Sequence, residues 1–157
     1  MALTSAVVDA LETARQEGYV KTKWFTYNRT ENAVTVSGVT DNFQISNVSD
    51  FLLWYINGTV FQPAGTNIPN PDLLLLLTDS NAGWQFSDFS THWGQIVGTA
   101  QNPFILPDPR LLEANSSVQM QITNQTGGTL AQVNLCLSGL QVFYYGGFTR
   151  NDLPVQL

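Results

Sequence analysis

DLLLLLTDS, residues 72–80, decides what kind of protein this is. Leucine favours helices, and a run of it invites a helical reading. The flanks argue otherwise: Pro71-Asp72 on one side and Thr78-Asp79-Ser80 on the other leave too little room for a stable helix. The run reads as a central strand buried on both faces. At about 1.5–3 kcal/mol per buried leucine it is a major core element. Left as an exposed edge it would be an aggregation hazard.

Downstream, SVQMQITN (117–124) alternates, with Val118, Met120 and Ile122 on one side and Gln119, Gln121 and Thr123 on the other. That period of two marks a strand with one dry and one wet face. LAQVNLCLSGLQVFYYGG (130–147) continues the pattern and is expected to form a final hairpin with it, turning through Gln125-Thr126-Gly127-Gly128. Val133, Leu135 and Leu137 share one face, and Leu140, Val142 and Tyr144 fall one residue out of phase. Gly139 sits at the slip, where a β-bulge would re-aim the strand.

Upstream, YVKTKWFTYN (19–28) and NAVTVSG (32–38) are strand-like runs rich in β-branched and aromatic residues. FQISNV (43–48) alternates, and DFLLWYING (50–58) is a denser apolar run ending in Asn-Gly. FQPAGTNIPNP (61–71) is a loop fixed by Pro63, Pro69 and Pro71. SNAGWQFSDFSTHWGQIVGTAQ (80–101) reads as a long ordered loop carrying Trp84, Phe86, Phe89 and Trp93. TSAVVDALETARQEG (4–18) opens the chain as a helix, capped by Thr4 or Ser5 and ended by Gly18. Its Val7, Leu11 and Ala14 stripe suits packing on the domain or on a neighbouring subunit. The organisation expected is an N-terminal helix over 1–18 and an antiparallel β-sandwich, of jelly-roll type, over 19–157.

The chain's 157 residues suffice for a core without disulfide or metal support. Charged residues make up 11%, roughly half the usual share, and amide and hydroxyl side chains are plentiful. The net charge is −6, and no Lys or Arg occurs between Arg29 and Arg110. Direct nucleic-acid binding needs cations against phosphates, so it is not expected, and neither is an anionic membrane surface. The leucine run is too short to span a bilayer, and no signal peptide is evident, which points to synthesis in a cytoplasm. Five Asn-x-Ser/Thr triplets, at Asn28, Asn47, Asn57, Asn115 and Asn124, read as turns and polar faces.

Chemical apparatus is sparse. Cys136 has no partner cysteine and reads as a packed thiol. His92 with Ser90 and Asp88 lies too close in sequence for triad geometry. Asp79 and Asp88 as a glycosidase pair, and Asp79-Ser80-Asn81 as the start of a calcium loop, are outweighed by ordinary turn chemistry. One His and one Cys cannot fill a zinc site. Neither enzymatic activity nor a cofactor is expected. Trp84, Trp93, Asn81 and Asp79 would suit a sugar platform, with buried aromatics as the plainer alternative.

The ordered series LLLLLTDS, then Gly98-Thr99, PFILPDP (103–109), NSSVQMQITN (115–124) and LSGLQVF (137–143) resembles a family of tailed-bacteriophage virion structural proteins. DFLLWY (50–55) is similar to that family's early strand, so the resemblance covers about residues 24 to 145. It implies a jelly-roll capsid auxiliary of cement or decoration type. Two positions depart from it: Trp84 follows Gly83 where a basic residue is expected, and Ser138 stands where relatives often carry His. The resemblance implies that the partners are the major capsid protein and further copies of the chain, a trimer favoured, in a virion assembled in a bacterial cytoplasm. Trp84, Phe86, Phe89 and Trp93, with Val7, Leu11 and Ala14, are the candidate interface residues. A carbohydrate-binding jelly-roll module on a virion surface or fibre is the alternative.

Overall fold

The leucine run is a strand in the computed structural model, which describes residues 5–154. In chain order the elements are α1 (Ala6–Gln16), β1 (Val20–Val34), β2 (Val39–Gln44), β3 (Asp50–Phe61), β4 (Leu73–Asp79), β5 (Trp84–Gln85) and β6 (Thr91–His92). There follow α2 (Trp93–Ile96), β7 (Phe104–Leu112), β8 (Ser117–Asn124), β9 (Leu130–Tyr144) and a 3-10 turn, Arg150–Asp152.

The antiparallel pairings are nested: β1 with β9, β2 with β8, β3 with β7, and β4 with the short β5 and β6. Two further ladders, β3 with β9 and β4 with β8, join these pairs into sheets. One sheet runs β1-β9-β3-β7, and the other runs β2-β8-β4-β5 with β6 also on β4. Successive pairs therefore alternate between the sheets, as when a long two-stranded ribbon is rolled on itself. That is the jelly-roll arrangement of a β-sandwich.

This topology corrects the expected final hairpin: β8 and β9 lie in different sheets. Their connection crosses the end of the sandwich and is held by Asn124 rather than by a ladder. The Asn124 Nδ2 donates to the Val34 and Gly128 carbonyls at 3.1 and 2.8 Å, while Oδ1 accepts from the Thr126 N–H and hydroxyl. Other boundaries also shift. The two runs at 19–38 merge into one long β1, interrupted by Ala33 at φ 53. The strand near FQISNV is VTDNFQ, and the loop after Ser80 supplies the broken edge strand β5/β6 and one turn of helix.

Leu73, Leu75 and Leu77 are fully buried between the sheets, facing the Met120 and Ile122 side of β8. Leu74 and Leu76 are only half-buried, which corrects the expectation of a strand buried on both faces. Alternation thus persists under the appearance of a continuous run, with one face of the strand more deeply covered than the other.

The opposite sheet buries apolar side chains on both faces. Val133, Leu135 and Leu137 enter the sandwich core, while Leu52, Leu111 and Val142 form a second core with Val7, Leu11 and Ala14 of α1. The phase slip in β9 is thus a change of covered face: its register against β1 is unbroken, and no β9 residue is skipped in its ladder with β3. The bulge lies in β3, where pairing skips Trp54 between Leu53 and Tyr55. Gly139 stands opposite that irregularity, where any Cβ would collide with the Leu52 carbonyl oxygen. Gly18, at φ 84, ends α1 as expected. Ser5 occupies the N-cap without a side-chain bond, and Thr4 lies outside the described residues.

Asp50 ties this second core to the chain beyond it. It is buried, accepting the Tyr144 hydroxyl at 2.6 Å and the Ala114 N–H at 2.7 Å. Burial, and then the Asp50 carboxylate, push the Tyr144 hydroxyl well above the usual tyrosine range.

Candidate interaction surface

Directly opposed residues in antiparallel strands share a face, and alternate residues share it along each strand. Register therefore places the outer face of the β1-β9-β3-β7 sheet in rows. Thr26, Ser138, Tyr55 and Ile105 form one; Asn28, Cys136 and Asn57 the next; then Thr30, Asn134 and Thr59; then Asn32, Gln132 and Phe61. None of these residues is Asp, Glu, Lys, Arg or His, and burial raises the Cys136 thiol above its ordinary value. Thr26 and Ser138 hydroxyls meet at 2.9 Å. The Asn134 amide donates to Thr59 Oγ1 at 3.1 Å and Gln132 Oε1 at 3.2 Å, and Gln132 donates to Asn32 at 3.2 Å. The result is a self-satisfied amide and hydroxyl ladder.

At the head of the ladder is an aromatic patch. The β3 bulge leaves Trp54 and Tyr55 on the same outer face, their rings 6.3 Å apart. Trp24 packs 5.6 Å from Tyr55 yet remains 53% exposed, and neighbouring Ile105 is 56% exposed. Trp24, Tyr55, Asn57, Ala100, Pro103 and Ser138 line a shallow depression of about 290 Å³. Exposed aromatics bordered by polar rows are the usual chemistry of a contact surface. The other sheet's outer face is similar in kind: Thr40, Gln121 and Leu76 form one row, and Asn42, Gln119 and Thr78 another.

The residues singled out from sequence are not gathered in one place. Val7, Leu11 and Ala14 are buried against the chain's own sheet, so the stripe packs on the domain. Trp93 is 3% exposed and lies over Gly58 in the main core, where it cannot serve as an interface anchor. Phe86 packs against the same core. Trp84 is half-buried, with the Phe86 ring 4.6 Å away and the Arg110 guanidinium 4.2 Å from its ring centre. Of the four loop aromatics, Phe89 alone, at 75% exposed, is open to a partner.

The sugar platform imagined around Trp84 and Trp93 does not assemble, because Trp93 is sunk in the core. Asp79 is buried and accepts the Asn81 and Ala82 N–H groups at 3.1 and 3.3 Å, which is turn chemistry. His92 faces Asp72 at 3.5 Å. Among the described residues, no group of three or more His, Cys, Asp or Glu side chains is placed to hold a metal ion. No described helix is long and apolar enough to cross a membrane.

Trp24 was the signal missed. It shares parity with Thr22, Thr26 and Asn28, so a large aromatic stands on the polar side of β1. Tyr55 was concealed by the bulge, which puts two consecutive aromatics on one face.

No family model and no curated protein matches this chain. Among solved structures it is similar to that of infectious bursal disease virus, Gt strain, at 13% identity over 85% of this chain and 34% of that one, with a TM-score of 0.35. The infectious bursal disease virus VP2 subviral particle gives 14% identity over 86% and 35%, with a TM-score of 0.33. The chain thus spans about a third of the length of these matched chains. The assignment of a jelly-roll β-sandwich rests on the nested strand pairing itself.

Proposed function

We propose that this protein is a non-enzymatic structural subunit of a tailed-phage virion, binding the capsid as a cement, decoration or minor capsid protein. The observation that carries the reading is the open, charge-free outer face headed by Trp24, Tyr55 and Ile105. In a chain of net charge −6, a face without ionised groups lets identical copies or a shell surface approach without like-charge repulsion. Large aromatics at its head supply anchors, and the ladder around them supplies a polar rim. The jelly-roll fold and the ordered motif series support the same role. Its partners would be the major capsid protein and other copies of the chain, a trimer favoured. Each subunit needs to contribute little, because many act together.

The test is occupancy of purified capsids by Trp24→Ala/Tyr55→Ala protein, with Phe89→Ser as a separate arm. The double variant should lose occupancy while its circular dichroism stays that of a β-sandwich. Wild-type occupancy by the folded double variant would refute the reading.

The aromatic pair beside Asn57 and Ser138 also keeps a carbohydrate-binding reading open, moved away from Trp84 and Trp93. A glycan array probed with wild-type and Trp24→Ala protein separates the two. Specific glycan binding abolished by the substitution would favour the sugar.

A further inference from the structure

The two sheets have four edges, and three are blunted in ways that discourage another strand from adding. β7 carries Pro107 and Pro109, β2 is six residues long, and the β5/β6 edge is broken into pieces of two residues. β1 is different: it runs for 15 residues, and no described strand lies on its far side. The Tyr145 N–H bonds the Tyr19 carbonyl at 2.8 Å, which with the unbroken register turns the backbone groups of odd-numbered residues toward β9. Even-numbered residues, Trp24, Thr26, Asn28 and Thr30 among them, therefore aim their N–H and C=O groups outward. An open notch of about 200 Å³ between β1 and β2, lined by Tyr27, Asn28 and Arg29 on the β1 side, leaves the middle of this edge accessible.

Charge selects what fits there. On the odd-numbered side of β1 stand Lys21, Lys23, Arg29 and Glu31. Arg29 is spent on Asp41 of β2, at 2.6 Å. Glu31 lies against that same carboxylate, and burial, followed by the Asp41 charge, raises its pKa above the ordinary value. The corner holds two acids and one base. A second β1 strand, antiparallel and centred on Tyr27, brings the missing base. Lys23 of each copy then falls opposite the partner's Glu31, while Thr26 and Asn28 exchange backbone hydrogen bonds across the join. Centring on Thr26 instead sets Lys23 against Arg29, and centring on Asn28 leaves both lysines without an opposing acid. We propose that this edge is a two-fold pairing site for a second copy of the chain, in the Tyr27-centred register. The pairing stands on the edge itself and not on the virion reading. It joins the amide and hydroxyl faces of two copies into one surface, and beside the trimer proposed above it would link a copy in one trimer to a copy in the next.

The test follows backbone amide exchange in ¹⁵N-labelled full-length protein across a dilution series, beside sedimentation equilibrium. Protection of the Trp24, Thr26, Asn28 and Thr30 amides should rise with concentration, together with a species holding an even number of copies. Lys23→Glu, which sets acid against acid twice, should weaken association by about tenfold or more, and Lys23→Glu/Glu31→Lys should restore it. Asn28→Pro, which removes an outward N–H and no bond to β9, should abolish association in folded protein. Edge amides that exchange freely at every concentration would overturn the pairing, as would undiminished association of Lys23→Glu or Asn28→Pro protein. Failure of the double exchange to restore association would overturn the Tyr27 register. If the variants do not fold, the wild-type exchange pattern still decides. Capsid occupancy is a separate readout: edge protection intact while Trp24→Ala/Tyr55→Ala protein keeps full occupancy would uphold the pairing and reject the assembly reading. Unprotected edge amides in a protein that loses occupancy on that substitution would do the reverse.

Discussion

The outer face of the β1-β9-β3-β7 sheet is built in two ways along its length. Under α1 it presents Leu52, Leu111, Leu140 and Val142, and the helix answers with Val7, Leu11 and Ala14. Past the helix the same strands present Thr26, Ser138, Asn134, Thr59 and Gln132, bonded to one another. One strand, β9, supplies both kinds of surface. The difference shows that side-chain choice on a sheet follows what lies above it. Where protein from the same chain arrives, the rows are aliphatic. Where none does, they are amides and hydroxyls that remain soluble and satisfied, with an aromatic patch between the two regimes.

Exchanging the two chemistries should break the contrast unequally. Leu52→Asn puts an amide beneath α1, where it loses apolar burial and finds no partner; a loss of about 3–5 kcal/mol in urea unfolding is expected. A change below 1 kcal/mol would mean that the helix is not a tight cover. Leu11→Ala, made from the helix side, should cost about 2–4 kcal/mol and raise amide exchange in α1 before the sandwich core.

Tyr144→Phe should cost about 1–3 kcal/mol by leaving the buried Asp50 carboxylate short of a donor. It also carries a pH signature. Tyr144 has a raised folded-state pKa, so its contribution is complete below the unfolded value of about 10 and is lost as the pH climbs above it. Melting curves between neutral and strongly alkaline pH should therefore fall less steeply for the Phe variant. The converse exchange, Asn134→Leu on the open half, should change stability by no more than about 1 kcal/mol. Its effect should instead appear as self-association in sedimentation.

Much of the fold was legible where flanks and parity agreed. Pro71 and the Thr-Asp-Ser corner left β4 no other state, and the Val118/Met120/Ile122 parity named the buried side of β8. Long-range interactions hid the rest. Gly127-Gly128 resembles a hairpin turn, but the contact that sends the chain to the other sheet is Asn124 bonding Val34, 90 residues away. The slip at Gly139 was visible, yet periodicity alone does not say that a helix from the far end of the chain covers the second face. For the site, sequence singled out the aromatics of the longest loop. Folding spent Trp93 and Phe86 on the core, while the open aromatics came from β1 and from a bulge specified by the partner strand's glycine.

The nested pairing of first strand with last has a consequence for biosynthesis. Thr26 and Ser138, which meet across that ladder, are 112 residues apart. At about 5–20 residues per second, a ribosome needs roughly 6–22 s to deliver the second after the first. For that interval β1 lacks its strand partner β9, and its Trp24, Phe25 and Tyr27 remain open to chance encounters with nascent chains. Sparse charge offers little electrostatic protection during that wait, so yield in the cell should depend on holdase chaperones and on growth temperature more than equilibrium stability would indicate.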